Sequence, residues 1–133
     1  SNIIEINNSI PAKNSYLYRN LNSFSNTKTY IDSAYLKFKA TKMNCEVPNT
    51  LSFKAAVSFL EATEKTIKTQ FINPSQDGGI IIEFNKNHRY HSLEFFNDGD
   101  VVFIIKDEKG FIKAWDLDSE EFLNTVTDQI DNV

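Results

Sequence analysis

The chain of 133 residues contains a single cysteine, Cys45, so an intramolecular disulfide is excluded. A chain of this length can bury a core without covalent staples. A lone thiol suits a reducing compartment, and a cytoplasmic location is the expectation. No stretch approaches the roughly 18 apolar residues that a membrane span requires. The longest apolar runs, Gly79–Ile82 and Val101–Ile105, have the length of strands. A basic segment followed by an apolar one is also missing, so no secretory leader is visible, although Ser1-Asn2 leaves a processed leader open. Positive charge is in short supply: 14 Lys and Arg stand against 18 Asp and Glu, for a net charge of −4. That balance argues against a protein that coats nucleic acid.

The charge is unevenly placed. Residues 1–70 carry nine basic and five acidic side chains, residues 71–106 three and five, and residues 107–133 two and eight. The acidic end can steer a basic partner; the plainer reading is a solvated helix face. Glycine is absent from residues 1–49, which are rich in Asn, Ser, Lys and Tyr, and this stretch reads as an N-terminal arm (1–48) before a core (49–133). Ile31, Ala34, Tyr35 and Phe38 fit a helix there and Tyr35–Ala40 also fits an alternating strand, the helix being the reading taken, while residues 1–13 are expected to fray.

From Asn49 the pattern is clearer. Phe53, Ala56, Val57, Leu60 and Ile67 form one stripe of a helix over Leu51–Ile67, capped by Asn49 or Thr50 after Pro48. A short strand at Thr69–Asn73 precedes Asp77-Gly78-Gly79, and strands follow at Gly79–Asn85, His88–Asn97, Asp100–Lys106 and Gly110–Trp115. The links between them are too short for anything but antiparallel neighbours. Asp118, with Glu121 three residues on, opens a last helix whose apolar stripe is Phe122, Leu123, Val126 and Ile130. The predicted fold is α+β: a helix, a four- to five-stranded antiparallel meander and a C-terminal helix, with an irregular or helical arm in front.

Two-residue turns at Lys86-Asn87 and Asp98-Gly99 set an expected register. Phe84 would pair with Arg89, Ile82 with His91, Phe95 with Val102 and Leu93 with Ile104. One face then carries Ile80, Ile82, Phe84, Leu93, Phe95, Val102, Ile104 and Trp115 as the core. The other carries Ile81, Glu83, Tyr90, Ser92, Glu94, Phe96, Val101, Phe103, Ile105, Ile112 and Ala114. That second face is too apolar to meet water uncovered. The N-terminal segment, a protein partner or a second copy of the chain is expected to cover it.

Catalytic patterns fare poorly. In the expected register Glu83 and Glu94 lie four residues apart along the strands, roughly 13 Å, beyond the 5 to 9.5 Å of paired-carboxylate hydrolysis. His88 and His91 point to opposite faces of a strand, and no Cys/His cluster has zinc spacing. Asp77, Glu83 and Lys86 echo a nuclease pattern, but Glu83 and Lys86 point apart. Gly78-Gly79 lacks the helix and Lys-Ser/Thr of a phosphate loop, and Asp98-Gly99-Asp100 lacks the other ligands of a calcium loop. Cys45 has no nearby base. Tyr16, Tyr18, Tyr30 and Tyr35, interleaved with Arg19, Lys28, Lys37 and Lys39, fit either a stacking surface for single strands or the packing of a helix. No cofactor or metal is expected.

Pro48, Ala55-Ala56, Phe59-Leu60, Pro74, Asp77-Gly78-Gly79-Ile80, Ile82-Glu83-Phe84 and Asp98-Gly99 follow a shared pattern. Over Val47 to Ile130 the chain thereby resembles a group of short, mostly uncharacterised bacterial proteins. It departs from them at Phe84, where the group has Trp, and around Asn44-Cys45, where a Trp-Asp-Gly stretch is missing. The resemblance implies the fold and no activity, and some of that group are similar to small mobile-element or toxin-system proteins. The expected function is non-enzymatic binding of another, basic protein, in the manner of an immunity protein or antitoxin. The candidate contact residues are Glu83, Tyr90, Glu94, Phe96, Phe103, Asp116, Asp118, Glu120 and Glu121. The alternatives are a small-ligand or nucleic-acid site, or an enzyme, with a pocket between arm and sheet, and self-association through the second face.

Overall fold

The computed structural model describes residues 31–68 and 70–131. The expectations for the arm before Ile31, including Tyr16, Tyr18, Tyr30, the covering of the sheet and the pocket beneath it, lie outside the described residues. Helices α1 (Ser33–Lys42) and α2 (Thr50–Thr63) lead into strands β1 (Phe71–Pro74), β2 (Gly79–Lys86), β3 (Arg89–Phe96), β4 (Asp100–Lys106) and β5 (Ile112–Asp118), and helix α3 (Phe122–Asp131) follows. The strands lie in the order β1-β2-β3-β4-β5, each antiparallel to the next. This is the α+β meander read from the sequence, with five strands.

Short polar side chains begin the first two helices. The Asp32 carboxylate accepts from the Tyr35 backbone N–H at 3.0 Å, and Leu36 and Ala40, four residues apart, are the buried stripe of α1. At α2 the Asn49 side chain accepts from the Ser52 N–H at 3.0 Å while the Ser52 hydroxyl accepts from the Asn49 N–H at 3.2 Å. Two N-terminal donors are thereby satisfied reciprocally. The helix stops at Thr63, four residues before the expected Ile67, and the Thr63 carbonyl accepts from both Thr66 N (3.0 Å) and Ile67 N (2.9 Å) in the turn that follows. The tightened turn still buries Ile67.

The first hairpin turns at Asn87-His88, one residue later than expected. Both residues have positive φ, 54° and 62°, as a type I′ turn requires; Asn tolerates that region far better than Lys86 would. Lys86 therefore pairs with Arg89 and Phe84 with His91. The pairing shifts by two positions in all, so the faces keep their parity. Ile80, Ile82, Phe84, Leu93 and Phe95 are in the core as expected, and fully buried His91 joins them.

The second hairpin corrects the expected faces. Phe95 lies opposite Val101, not Val102, so the loop holds Asn97 in addition to Asp98-Gly99. A one-residue slip turns the side chains of β4 over, and a further one-residue offset at the third hairpin returns β5 to its expected faces. Val101, Phe103 and Ile105 go into the core, with Phe103 0% exposed, while Val102 and Ile104 move to the second face. The cause is Asn97. Its Oδ1 accepts from Asn49 N (2.9 Å) and the Ser52 hydroxyl (2.8 Å), and its Nδ2 donates to the Val47 carbonyl (3.0 Å). Its carbonyl accepts from Asn49 Nδ2 at 2.8 Å, and its N–H donates to the Gly78 carbonyl at 3.0 Å. Asn97 is spent on the start of α2 and cannot also serve as a regular ladder residue.

In the third hairpin the Asp107 carboxylate accepts from Lys109 N and Phe111 N, both at 2.9 Å, so β5 starts two residues after Gly110 and runs on to Asp118. Trp115 stacks on Phe103 at 4.9 Å between ring centroids, on the core face as expected. α2 and α3 close that face: Phe59 lies 6.0 Å from Phe84, and Phe122 meets Phe95 edge-on at 5.4 Å. Burial of each such ring stabilises by about 1.5–3 kcal/mol. Gly79 (φ 136°) is required where β2 meets β3, because a Cβ there would sit 2.0 Å from the Phe95 carbonyl oxygen.

Two stability outcomes follow. Asn97→Ala removes the side-chain bonds to Asn49 N, the Ser52 hydroxyl and the Val47 carbonyl and should cost about 2–4 kcal/mol, seen as a lowered denaturation midpoint with an unchanged slope. Gly79→Ala should cost at least as much, whereas Gly110→Ala, with nothing within 4 Å of its added Cβ, should cost only ~1 kcal/mol of backbone strain.

Candidate partner-binding face

The register determines which side chains share the second face. From β1 to β5 they are Phe71 and Asn73; Ile81 and Glu83; Tyr90, Ser92, Glu94 and Phe96; Asp100, Val102, Ile104 and Lys106; Ile112, Ala114, Asp116 and Asp118. Five carboxylates stand against one lysine. They are not spread evenly. Glu94, Asp100, Asp116 and Asp118 crowd the end nearest the Asn97 loop, and Asp100 lies directly opposite Asp118. Like charges in that position repel. Between them Ile81, Phe96, Val102 and Ile104 are half-buried, and Phe71 and Ile112 are each 60% exposed.

Of the sequence-derived candidates, Glu83, Tyr90, Glu94, Phe96, Asp116 and Asp118 share this face. Glu120 and Glu121 are exposed in the turn that follows β5. Asp118 shapes that turn, its Oδ1 accepting from Glu120 N (2.9 Å) and Glu121 N (2.8 Å). Phe103 does not belong with them: it is enclosed in the core, so a glutamate placed there would test folding and not association. Val101 and Ile105 leave the face for the same reason. Asp100, Val102 and Ile104 are the residues that sequence reasoning missed. The signal for them is present, since Asn97-Asp98-Gly99 is also a good three-residue hairpin loop with glycine at its left-handed position.

The two glutamates are closer than the expected register allowed. Glu83 pairs with Ser92 and Glu94 with Ile81, which makes them diagonal neighbours about 7–8 Å apart. Each carboxylate is held by a hydroxyl. Tyr90 donates to Glu83, and Ser75 donates to Glu94 while its Oγ accepts from Asp77 N at 3.0 Å. Burial, together with the Glu83 contact, pushes the Tyr90 phenol up to about 12, so it remains a donor at neutral pH. Among the described residues no group of three His, Cys, Asp or Glu side chains is placed to hold a metal ion. Cys45 is half-buried, with its thiol 3.6 Å from the Ala40 carbonyl.

His91 is the titratable group of the opposite, core face. Its ring stacks on Phe84 at 4.7 Å and 10°, and on Phe103 at 6.3 Å. Nδ1 lies 3.1 Å from the Arg89 carbonyl, so it carries the proton, and Nε2 is buried with no partner. Burial holds its pKa below the ordinary imidazole value, and the nearby Arg89 and Lys86 charges act in the same direction. The folded protein keeps His91 neutral while the unfolded chain takes up a proton below about pH 6.5. Stability should therefore fall as the pH drops from about 6.5 towards the lowered folded value. His91→Phe should flatten that limb, as measured by urea denaturation at a series of pH values. A limb of unchanged slope in the variant would assign it to other groups.

Compared with known proteins, the chain significantly matches no family model, no curated protein and no solved structure.

Proposed function

We propose that this chain is a non-enzymatic protein-binding module, of the inhibitor type that immunity proteins and antitoxins represent, and that its partner is basic. The observation that carries this reading is the composition of the second face. Four carboxylates are crowded at one end of an otherwise apolar sheet surface, with Asp100 directly against Asp118. A Lys or Arg side chain seated between opposed carboxylates relieves a repulsion already present in the free protein. The half-buried apolar rows supply area that a flat, water-facing surface would not need. The acidic turn at Glu120-Glu121 extends the negative field and raises the rate of encounter with a positively charged protein. A cytoplasmic setting accords with the single thiol. No helix among the described residues is long and apolar enough to cross a membrane.

The test is a comparison between faces. Wild-type chain coupled to resin should retain a basic protein from native lysate and release it as salt is raised. The double variant Asp100→Lys/Asp116→Lys should bind that protein about 100-fold less tightly, and Glu61→Lys, on the exposed surface of α2, should bind it normally. Equal retention by the double variant and the wild type would overturn the reading.

A further inference from the structure

The two edges of the sheet are protected very differently. β1 is four residues long, ends in Pro74, and is flanked by α1, whose Lys39 ammonium donates to the Asn73 side chain. Each of these features discourages another strand from pairing there. β5 has seven residues and no proline or glycine, and among the described residues it pairs with β4 alone. Ile112, Lys113, Ala114, Asp116 and Asp118 are exposed along it, and Phe111, just before it, is 72% exposed. A seven-residue edge strand with large apolar groups at one end is a template for strand addition.

We propose that β5 pairs antiparallel with β5 of a second copy, about a two-fold axis at Ala114, to make one continuous ten-stranded sheet. The sequence of the edge selects this register. An axis at Lys113 or at Asp116 sets like charges directly opposite each other. An axis at Trp115 opposes two indoles and leaves Phe111 facing Ser119. With the axis at Ala114, the two methyl groups meet at the centre and Phe111 faces Leu117 of the second copy. Lys113 lies over Trp115, a cation–π arrangement, and Ile112 faces Asp116. Both exposed apolar residues thereby acquire a neighbour, and each contact occurs twice. The pairing extends the sheet sideways and leaves most of the acidic face of both copies open, with Asp116 at the margin between the two surfaces.

A strand pair buries less than the roughly 1,200 Å² of a standard stable interface, so the dimer should be concentration-dependent. Sedimentation velocity from about 1 to about 500 μM should show the mass rise from 15.3 kDa towards twice that value. Ile112→Asp places a carboxylate opposite Asp116 of the second copy and should weaken dimerisation about tenfold or more. Adding Asp116→Lys turns that repulsion into an ion pair, made twice, and should restore the dimer. Circular dichroism verifies that both variants fold, as the exposure of both side chains leads one to expect. A chain that stays monomeric at every concentration, a dimer that Ile112→Asp leaves intact, or one that the second substitution fails to restore overturns the proposal.

Discussion

Asn97 is the joint on which the architecture turns. A helix that begins against the end of a sheet presents backbone N–H groups that need acceptors away from bulk water. Asn49 and Ser52 satisfy two of them within α2, and the Asn97 side chain then links that capping box to the β3–β4 loop. Its other end reaches the Val47 carbonyl, and its N–H reaches Gly78 where the chain enters β2. One side chain thus joins the segment before α2, the start of α2, the entry to β2 and the second hairpin. Removing Asn97 from the ladder lengthens the loop by one residue, and the parity of β4 follows from that single step.

The consequences are chemical as well as architectural. With the parity as it is, the three largest side chains of β4 that face α2 and α3 are Val101, Phe103 and Ile105, and Phe103 provides the surface on which Trp115 and His91 stack. The opposite side receives Asp100 alongside Glu94, Asp116 and Asp118. Asp100 thereby completes a concentrated negative end beside an apolar remainder. Such a surface suits a partner that brings both cations and apolar groups, and it gives a reason for the uneven distribution of charge along the chain.

The sheet is also asymmetric at its margins. A short strand, a proline and a helix close one side, while the other is a regular seven-residue strand that, among the described residues, is paired on one side only. Meanders of this kind pair every strand with its sequence neighbour, so only the first and last strands need protection. Here the first strand has it in its shortness, its proline and the flanking helix, and the last has only the charges of Lys113, Asp116 and Asp118.

Much was legible in the sequence because it depends on local physics. The Asn49 cap, the apolar stripes of α2 and α3, alternation along β2 and β3, and the glycine turns marked the elements from α2 onward and the antiparallel order of the strands. Asp118, expected to cap the last helix, instead ends β5 and shapes the turn before α3 begins at Phe122. Helix and strand ends were less exact, as at Thr63 and Asp118, because end residues have almost equal energies in either state. What the sequence alone left undecided was parity. Asn97-Asp98-Gly99 is compatible with a two-residue or a three-residue loop, and local propensity does not separate them. The choice was made by Asn49 and Ser52, almost fifty residues earlier, whose need for hydrogen-bond partners exists only once α2 lies across the end of the sheet. The side of the sheet on which Phe103 and Asp100 would stand was therefore a tertiary decision.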